Sequence, residues 1–105
     1  MRVRVLALIG IVATQGAAAD DAATSQAARS LAATCAACHG TDGRSDVPDT
    51  PVLAGLEREF ILSRLQAFRG PANKGETMHH LANGYTPEQE ALVAAYFSLL
   101  GKGGR

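Results

Sequence analysis

The sequence predicts an all-α domain of three to five helices with no sheet. Three observations predict it. No stretch alternates apolar and polar residues with a strand's period, and no segment repeats. Apolar residues recur instead at helical spacing around residues 27–35, 57–69 and 87–100. The segments between them are rich in Gly, Pro, Asp and Asn, which is loop and turn chemistry.

Its 105 residues bound the chain to one domain. The opening MRVRVLALIGIVATQGAAAD has basic Arg2 and Arg4, an apolar run from Val5 to Ala13, and a small-residue tail ending at Ala19. That order reads as an export signal over residues 1–19, cut after Ala19, with the working domain over 20–105. The apolar run falls well short of the roughly 20 residues that a spanning helix needs, so no stable membrane insertion is expected. Removing the signal takes Arg2 and Arg4 with it. Eight basic residues then face ten acidic ones, a net charge of about −2 with the histidines neutral. Without a basic excess to neutralise phosphates, nucleic-acid binding is set aside.

Residues 20–28, rich in Ala and Asp, are expected to be a frayed lead-in. Ser25 or Ser30 then caps a helix carrying Ala27, Leu31 and Thr34–Cys35, which runs on into CAACH. Its small residues allow a neighbouring helix to come close. Residues 40–55, GTDGRSDVPDTPVLAG, hold no period and read as a long loop, which in a small domain implies a function such as wrapping a cofactor. A second helix covers 57–69 with the stripe Phe60, Ile61, Leu65 and Phe68; Arg58 and Arg69 lie off the stripe and Gly70-Pro71 ends it. A loop follows, with a short helical turn at 79–82. In the last helix Thr86 is the cap, Pro87 takes the first turn and Gln89 completes a capping box. Leu92, Val93, Tyr96, Phe97 and Leu100 form its apolar face, Gly101 stops it, and the final KGGR frays. Beyond residue 19 the aromatics are only Phe60, Phe68, Tyr85, Tyr96 and Phe97, so the core is thin and needs a staple or a filler.

The stretch CAACH, residues 35–39, supplies a filler. A disulfide across so short a loop would remove little unfolded-state entropy. A redox dithiol of the thioredoxin kind wants a βαβ context, which is missing. A zinc site needs two further ligands, and the adjacent His79 and His80 lack the usual spacing. A covalent haem accounts for more: Cys35 and Cys38 reach the two vinyl groups along one ring edge, and His39 follows as the iron's proximal ligand. Such attachment happens outside the cytoplasm, in agreement with the export signal. The haem also fills the thin core.

The iron's second position is open to several groups. Beyond residue 19 the chain has one methionine, Met78, about 40 residues past the attachment site. Its thioether would close the iron to substrate and raise the potential relative to a second histidine, which suits electron transfer. The alternatives are His79 or His80, with Met78 merely packing on the haem edge. A proximal imidazole is usually fixed by a carbonyl. Pro51 presents one on a rigid loop, Pro48 is the alternative, and loop stiffening alone remains a third reading.

TCAACHGTDGRS, PVLAGL, FILSRLQAF, TMHHLANGYT and EQEALVAAYFSLL follow one another in an order that resembles small bacterial class I c-type cytochromes. More narrowly the chain is similar to the cytochrome subunits of flavocytochrome c sulfide dehydrogenases. The resemblance implies the class I cytochrome c fold around one covalently attached haem c, with the first and last helices crossing beside it. It implies Cys35 and Cys38 as thioether anchors, His39 and Met78 as axial ligands, and Pro51 as the acceptor of the His39 ring N–H. Related carriers often place Tyr and Gln where this chain has Phe60 and Arg64; Arg64 is a possible haem-propionate partner, against the default of a surface arginine.

Two functions follow. As a subunit in the periplasm, the protein would take single electrons from a flavoprotein (FAD) subunit that oxidises sulfide, doing no bond chemistry itself. As a free soluble carrier it would deliver electrons to a terminal oxidase or other redox protein. MHHLANGY is more apolar than a free carrier's rim requires. Catalysis at an open iron would need a distal acid–base pair, and only the adjacent histidines offer one.

Overall fold

The computed structural model describes residues 9–10 and 16–101. Its elements are α1 (Gly16–Ala33), α2 (Ala36–His39), α3 (Arg58–Phe68), α4 (Thr77–Asn83) and α5 (Pro87–Ser98), with 3-10 turns at Thr41–Gly43 and Pro71–Asn73. No strand occurs among the described residues, so the all-α expectation holds. No helix among them is long and apolar enough to cross a membrane. The basic start of the expected export signal, most of its apolar run and the final KGGR lie outside the described residues.

α1 departs from expectation at both ends. It begins at Gly16, passes through the expected cleavage position, and absorbs the stretch expected to fray. Ser25 and Ser30 are interior residues, not caps. Nine of its eighteen residues are alanine, the strongest helix former, and this outweighs the weak capping signals. The helix also stops short of CAACH. The Thr34 hydroxyl donates to the Leu31 carbonyl at 2.6 Å, competing with the helical ladder, and Thr34–Cys35 becomes a turn. Ala28 and Ala32, one turn apart, are buried where α1 packs along α5, and small side chains permit that close approach.

The 40–55 loop is pinned to the core at two points. The Gly43 carbonyl accepts from Leu53 N at 2.8 Å, and Gly55 N donates to the Phe97 carbonyl at 2.9 Å. Gly43 has φ +71, and a Cβ there would sit 2.8 Å from both Leu53 Cβ and a Phe97 ring carbon. Only glycine lets the loop pass this close to α5.

α3 matches its expected span, with Glu57 and Arg69 as its caps. Ile61 and Leu65 are buried and Phe68 half-buried, but Phe60 is 52% exposed. Positions 61, 65 and 68 form the i, i+4, i+7 stripe; Phe60 lies one residue off it. Arg69, expected apart from the core, is half-buried. The turn expected at 79–82 is the full helix α4. α5 is capped as expected: Gln89 N donates to Thr86 Oγ1 at 3.1 Å, and Thr86 N to Gln89 Oε1 at 2.9 Å. Val93 and Phe97 are buried on its inner face, together with an unexpected Glu90.

Five of the nine buried hydrophobic residues among those described are alanines: Ala28, Ala32, Ala54, Ala82 and Ala94. Only Ile61, Leu65, Val93 and Phe97 add volume, so the protein core is as thin as the composition implies.

Candidate haem site

Cys35 caps α2, a single helical turn closed by His39 N donating to the Cys35 carbonyl at 2.9 Å. That turn brings both thiols to one side, three residues apart. Both are free, Cys35 half-buried and Cys38 exposed. Burial pushes the Cys35 thiol up, with the Thr34 and Tyr85 hydroxyls pulling the other way. A redox dithiol needs a lowered pKa, so this environment opposes that reading. Among the described residues, no three His, Cys, Asp or Glu side chains gather as a bare metal ion requires.

His39 ends α2, and Gly40 follows at φ +78, where a Cβ would meet the Arg44 carbonyl oxygen at 2.5 Å. The turn returns the chain so that the His39 Nδ1 lies 2.7 Å from the Pro51 carbonyl oxygen. A carbonyl only accepts, so Nδ1 carries the proton, and in the neutral ring Nε2 is the nitrogen with the free lone pair. Of the two prolines considered, Pro51 makes this contact. The Tyr96 hydroxyl donates to Asp42 Oδ1 at 2.6 Å and ties the turn after His39 to α5. That bond, more than burial, raises the Tyr96 pKa. Asp42 takes φ +55, a conformation that Asp tolerates.

Met78 lies in the first turn of α4, half-buried. It packs against the same buried cluster as Cys35, so the attachment turn and α4 meet on one core. The His79 Nδ1 donates to the Phe68 carbonyl at 2.7 Å, and its Nε2 accepts from Asn83 Nδ2 at 3.3 Å. Both ring nitrogens of His79 are therefore engaged. His80 is exposed, its ring edge-on to His79 with centroids 5.5 Å apart. Arg64 is exposed too, its guanidinium 5.2 Å from the centre of the Phe68 ring.

Sequence reasoning missed a cluster beside this site. Glu90 is 2% exposed and pairs with Arg69. Arg69 also donates to the Ala82 carbonyl at 3.2 Å and the Tyr85 carbonyl at 3.0 Å. The signal was present: positions 90, 93, 94 and 97 form one helical stripe, and an acid on a buried stripe calls for a cation. Tyr85 and Thr34, whose hydroxyls meet at 2.7 Å beside Cys35, were also missed.

Residues 24–98 match the cytochrome c family. The chain belongs to that family. This cytochrome c is 38% identical over 93 residues to the cytochrome subunit of sulfide dehydrogenase from Chlorobaculum tepidum, covering 86% of this chain and 84% of the relative. It is 40% identical over 68 residues to cytochrome c-554(548) of Halomonas halodenitrificans, covering 62% of this chain and 82% of that one. Against cytochrome c4 of Pseudomonas aeruginosa it is 37% identical over 81 residues, covering 77% of this chain and 39% of the relative. The family's work is electron transfer on covalently bound haem c, and the helical fold is that of a class I cytochrome c. This cytochrome c serves as an electron-transfer protein and is not itself catalytic.

The residues present fit haem c. Two free thiols sit one turn apart, next to an imidazole whose unprotonated Nε2 is the nitrogen left for iron. Around an alanine-rich core, Leu53, Leu56, Leu62, Phe68 and Met78 are left half-covered, which suits an apolar macrocycle.

Proposed function

We propose that this cytochrome c carries one haem and serves as the electron-accepting cytochrome subunit of a sulfide dehydrogenase, taking single electrons from a flavoprotein (FAD) subunit. The observation that carries this reading is the end-to-end likeness to the Chlorobaculum tepidum subunit, 86% of one chain against 84% of the other. The chain is an exported periplasmic protein in this reading, with residues 1–19 as the signal and 20–105 as the monohaem domain.

Cys35 and Cys38 would form the thioether bonds to the haem, and His39 Nε2 and Met78 Sδ would hold its iron. Bound haem c supplies a one-electron iron couple. The rest is done by the chain's own side chains. Pro51 holds the proton on His39 Nδ1, fixing the ring's tautomer and making Nε2 a stronger donor. The engagement of both His79 ring nitrogens supports Met78 over His79 as the distal ligand. A thioether there would hold the potential above that of a bis-histidine site and leave no open position for a substrate. The half-covered apolar side chains exclude water, which keeps the couple's environment fixed as charge changes. Arg64, already stacked on Phe68, is the residue for a propionate. Exposed His80 and Leu81, beside Met78, form part of the docking face.

The test is gel filtration of the native protein from its source periplasm, following haem and flavin absorbance across the column. One larger peak carrying both is expected. Haem eluting alone at the mass of a single small domain, under conditions that preserve weak complexes, overturns the subunit reading. It would favour a free carrier serving a terminal oxidase or another redox protein.

A further inference from the structure

α4 has only seven residues, too few to be stable as a helix in water by themselves. What holds it comes from the end of α3. A helix leaves its last carbonyls without partners inside the helix, and here side chains from farther along the chain use them. The Phe68 carbonyl accepts from His79 Nδ1 at 2.7 Å, one residue from Met78. The Ala67 carbonyl accepts from Asn73 Nδ2 at 2.8 Å, gripping the turn that leads into α4. The next residue, Arg69, reaches the other end of α4 through the Ala82 and Tyr85 carbonyls. Glu90 of α5 fixes that guanidinium from the buried side. Phe68 and Arg69, neighbours in sequence, thus hold α4 at both ends.

We propose that this clasp is what keeps Met78 on the iron, with His79 and Arg69 as positioning residues that set how readily the thioether leaves. The inference rests on the reading of Met78 as the distal ligand. A neutral thioether is a weak ligand, and its occupancy depends on being held in place. His79 follows Met78 directly in the chain. Any swing of the first turn of α4 that withdraws Met78 must therefore break the His79–Phe68 hydrogen bond. Asn83 Nδ2 donates to the other ring nitrogen at 3.3 Å, so the ring cannot turn to substitute for the departing sulfur without breaking that bond too.

Imidazole added to the ferric holoprotein must displace the sixth ligand, so its affinity reads the ease of that departure. His79→Ala is expected to raise imidazole affinity about tenfold, the upper end of one net hydrogen bond, with helical circular dichroism unchanged. Arg69→Lys keeps a charge opposite Glu90 but loses the fork onto two carbonyls, and should shift affinity in the same direction. Wild-type imidazole affinity in folded His79→Ala overturns the clasp, even where the melting temperature falls, because a merely structural role lowers stability without freeing the sulfur. Should Arg69→Lys fail to fold, His79→Ala decides alone. Met78→Ala separates the two ideas. Loss of the long-wavelength sulfur-to-iron absorption in Met78→Ala, with wild-type affinity in His79→Ala, would leave the ligand reading standing and the clasp refuted. An unchanged spectrum in Met78→Ala would refute the ligand reading itself.

Discussion

In the proposed ligation by His39 and Met78, the two sides of the haem site are built by opposite means. On the His39 side everything lies within seventeen residues: one helical turn, a glycine-bearing reversal, and a backbone carbonyl at Pro51. On the Met78 side the parts come from three helices, and the decisive contacts are side chains: His79, Arg69 and Glu90. The first arrangement is reinforced by covalent bonds once haem is attached, so its geometry tolerates change. The second has no covalent tie and depends on packing and buried hydrogen bonds. Disturbance should therefore reach the distal side first.

The largest effect breaks the proximal side outright. In the double variant Cys35→Ala, Cys38→Ala, no haem should stay with the chain through denaturing electrophoresis, where the native protein should retain it. Haem still covalently held would refute the anchor assignment. Next in size comes a break on the distal side. Glu90→Ala leaves the Arg69 guanidinium without its buried partner and opens a gap beside Ala94. Loss of one partner of a buried pair costs about 3–5 kcal/mol; the 29% exposure of the Arg69 side chain lets water reach it and favours the lower figure. Chemical denaturation followed by circular dichroism measures this. The double variant Arg69→Met, Glu90→Leu should recover much of the loss, since apolar replacement of a buried pair is often close to neutral. A loss below 1 kcal/mol in Glu90→Ala would mean the pair does not hold the distal side together.

The same contrast explains what the sequence made legible. CAACH is contiguous, so its spacing, together with the export signal, is enough to propose haem attachment there. The cap of α5 is equally local: Thr86, Pro87 and Gln89 fall within four residues, and the structure makes both bonds of the box. The clasp joins residues 11 to 21 apart in sequence, and nothing near His79 or Arg69 announces the partner. Only Glu90 left a trace, as an acid on an apolar stripe. α1 misled for another reason. Two serines suggested a cap, but alanine at half of the helix's positions favours helix strongly enough to carry it past both. Phe60 misled because its neighbour Ile61, not Phe60, continues the stripe toward Leu65 and Phe68.

The smallest effect sharpens the comparison most. Pro51 serves His39 through a backbone carbonyl, which any residue supplies. In Pro51→Ala the acceptor remains, the imidazole keeps its tautomer, and the haem spectrum should not change. What is lost is the ring's restriction of the unfolded chain, worth about 0.4–1 kcal/mol of stability. His79→Ala, by contrast, deletes the donor itself, so although the His39–Pro51 and His79–Phe68 contacts are both 2.7 Å long, the two substitutions should have unequal consequences for the iron. Absorption spectra and denaturation midpoints of the two variants, measured side by side, decide it. A changed spectrum in Pro51→Ala would mean that the proline ring seats the imidazole and that the proximal side, too, depends on a side chain.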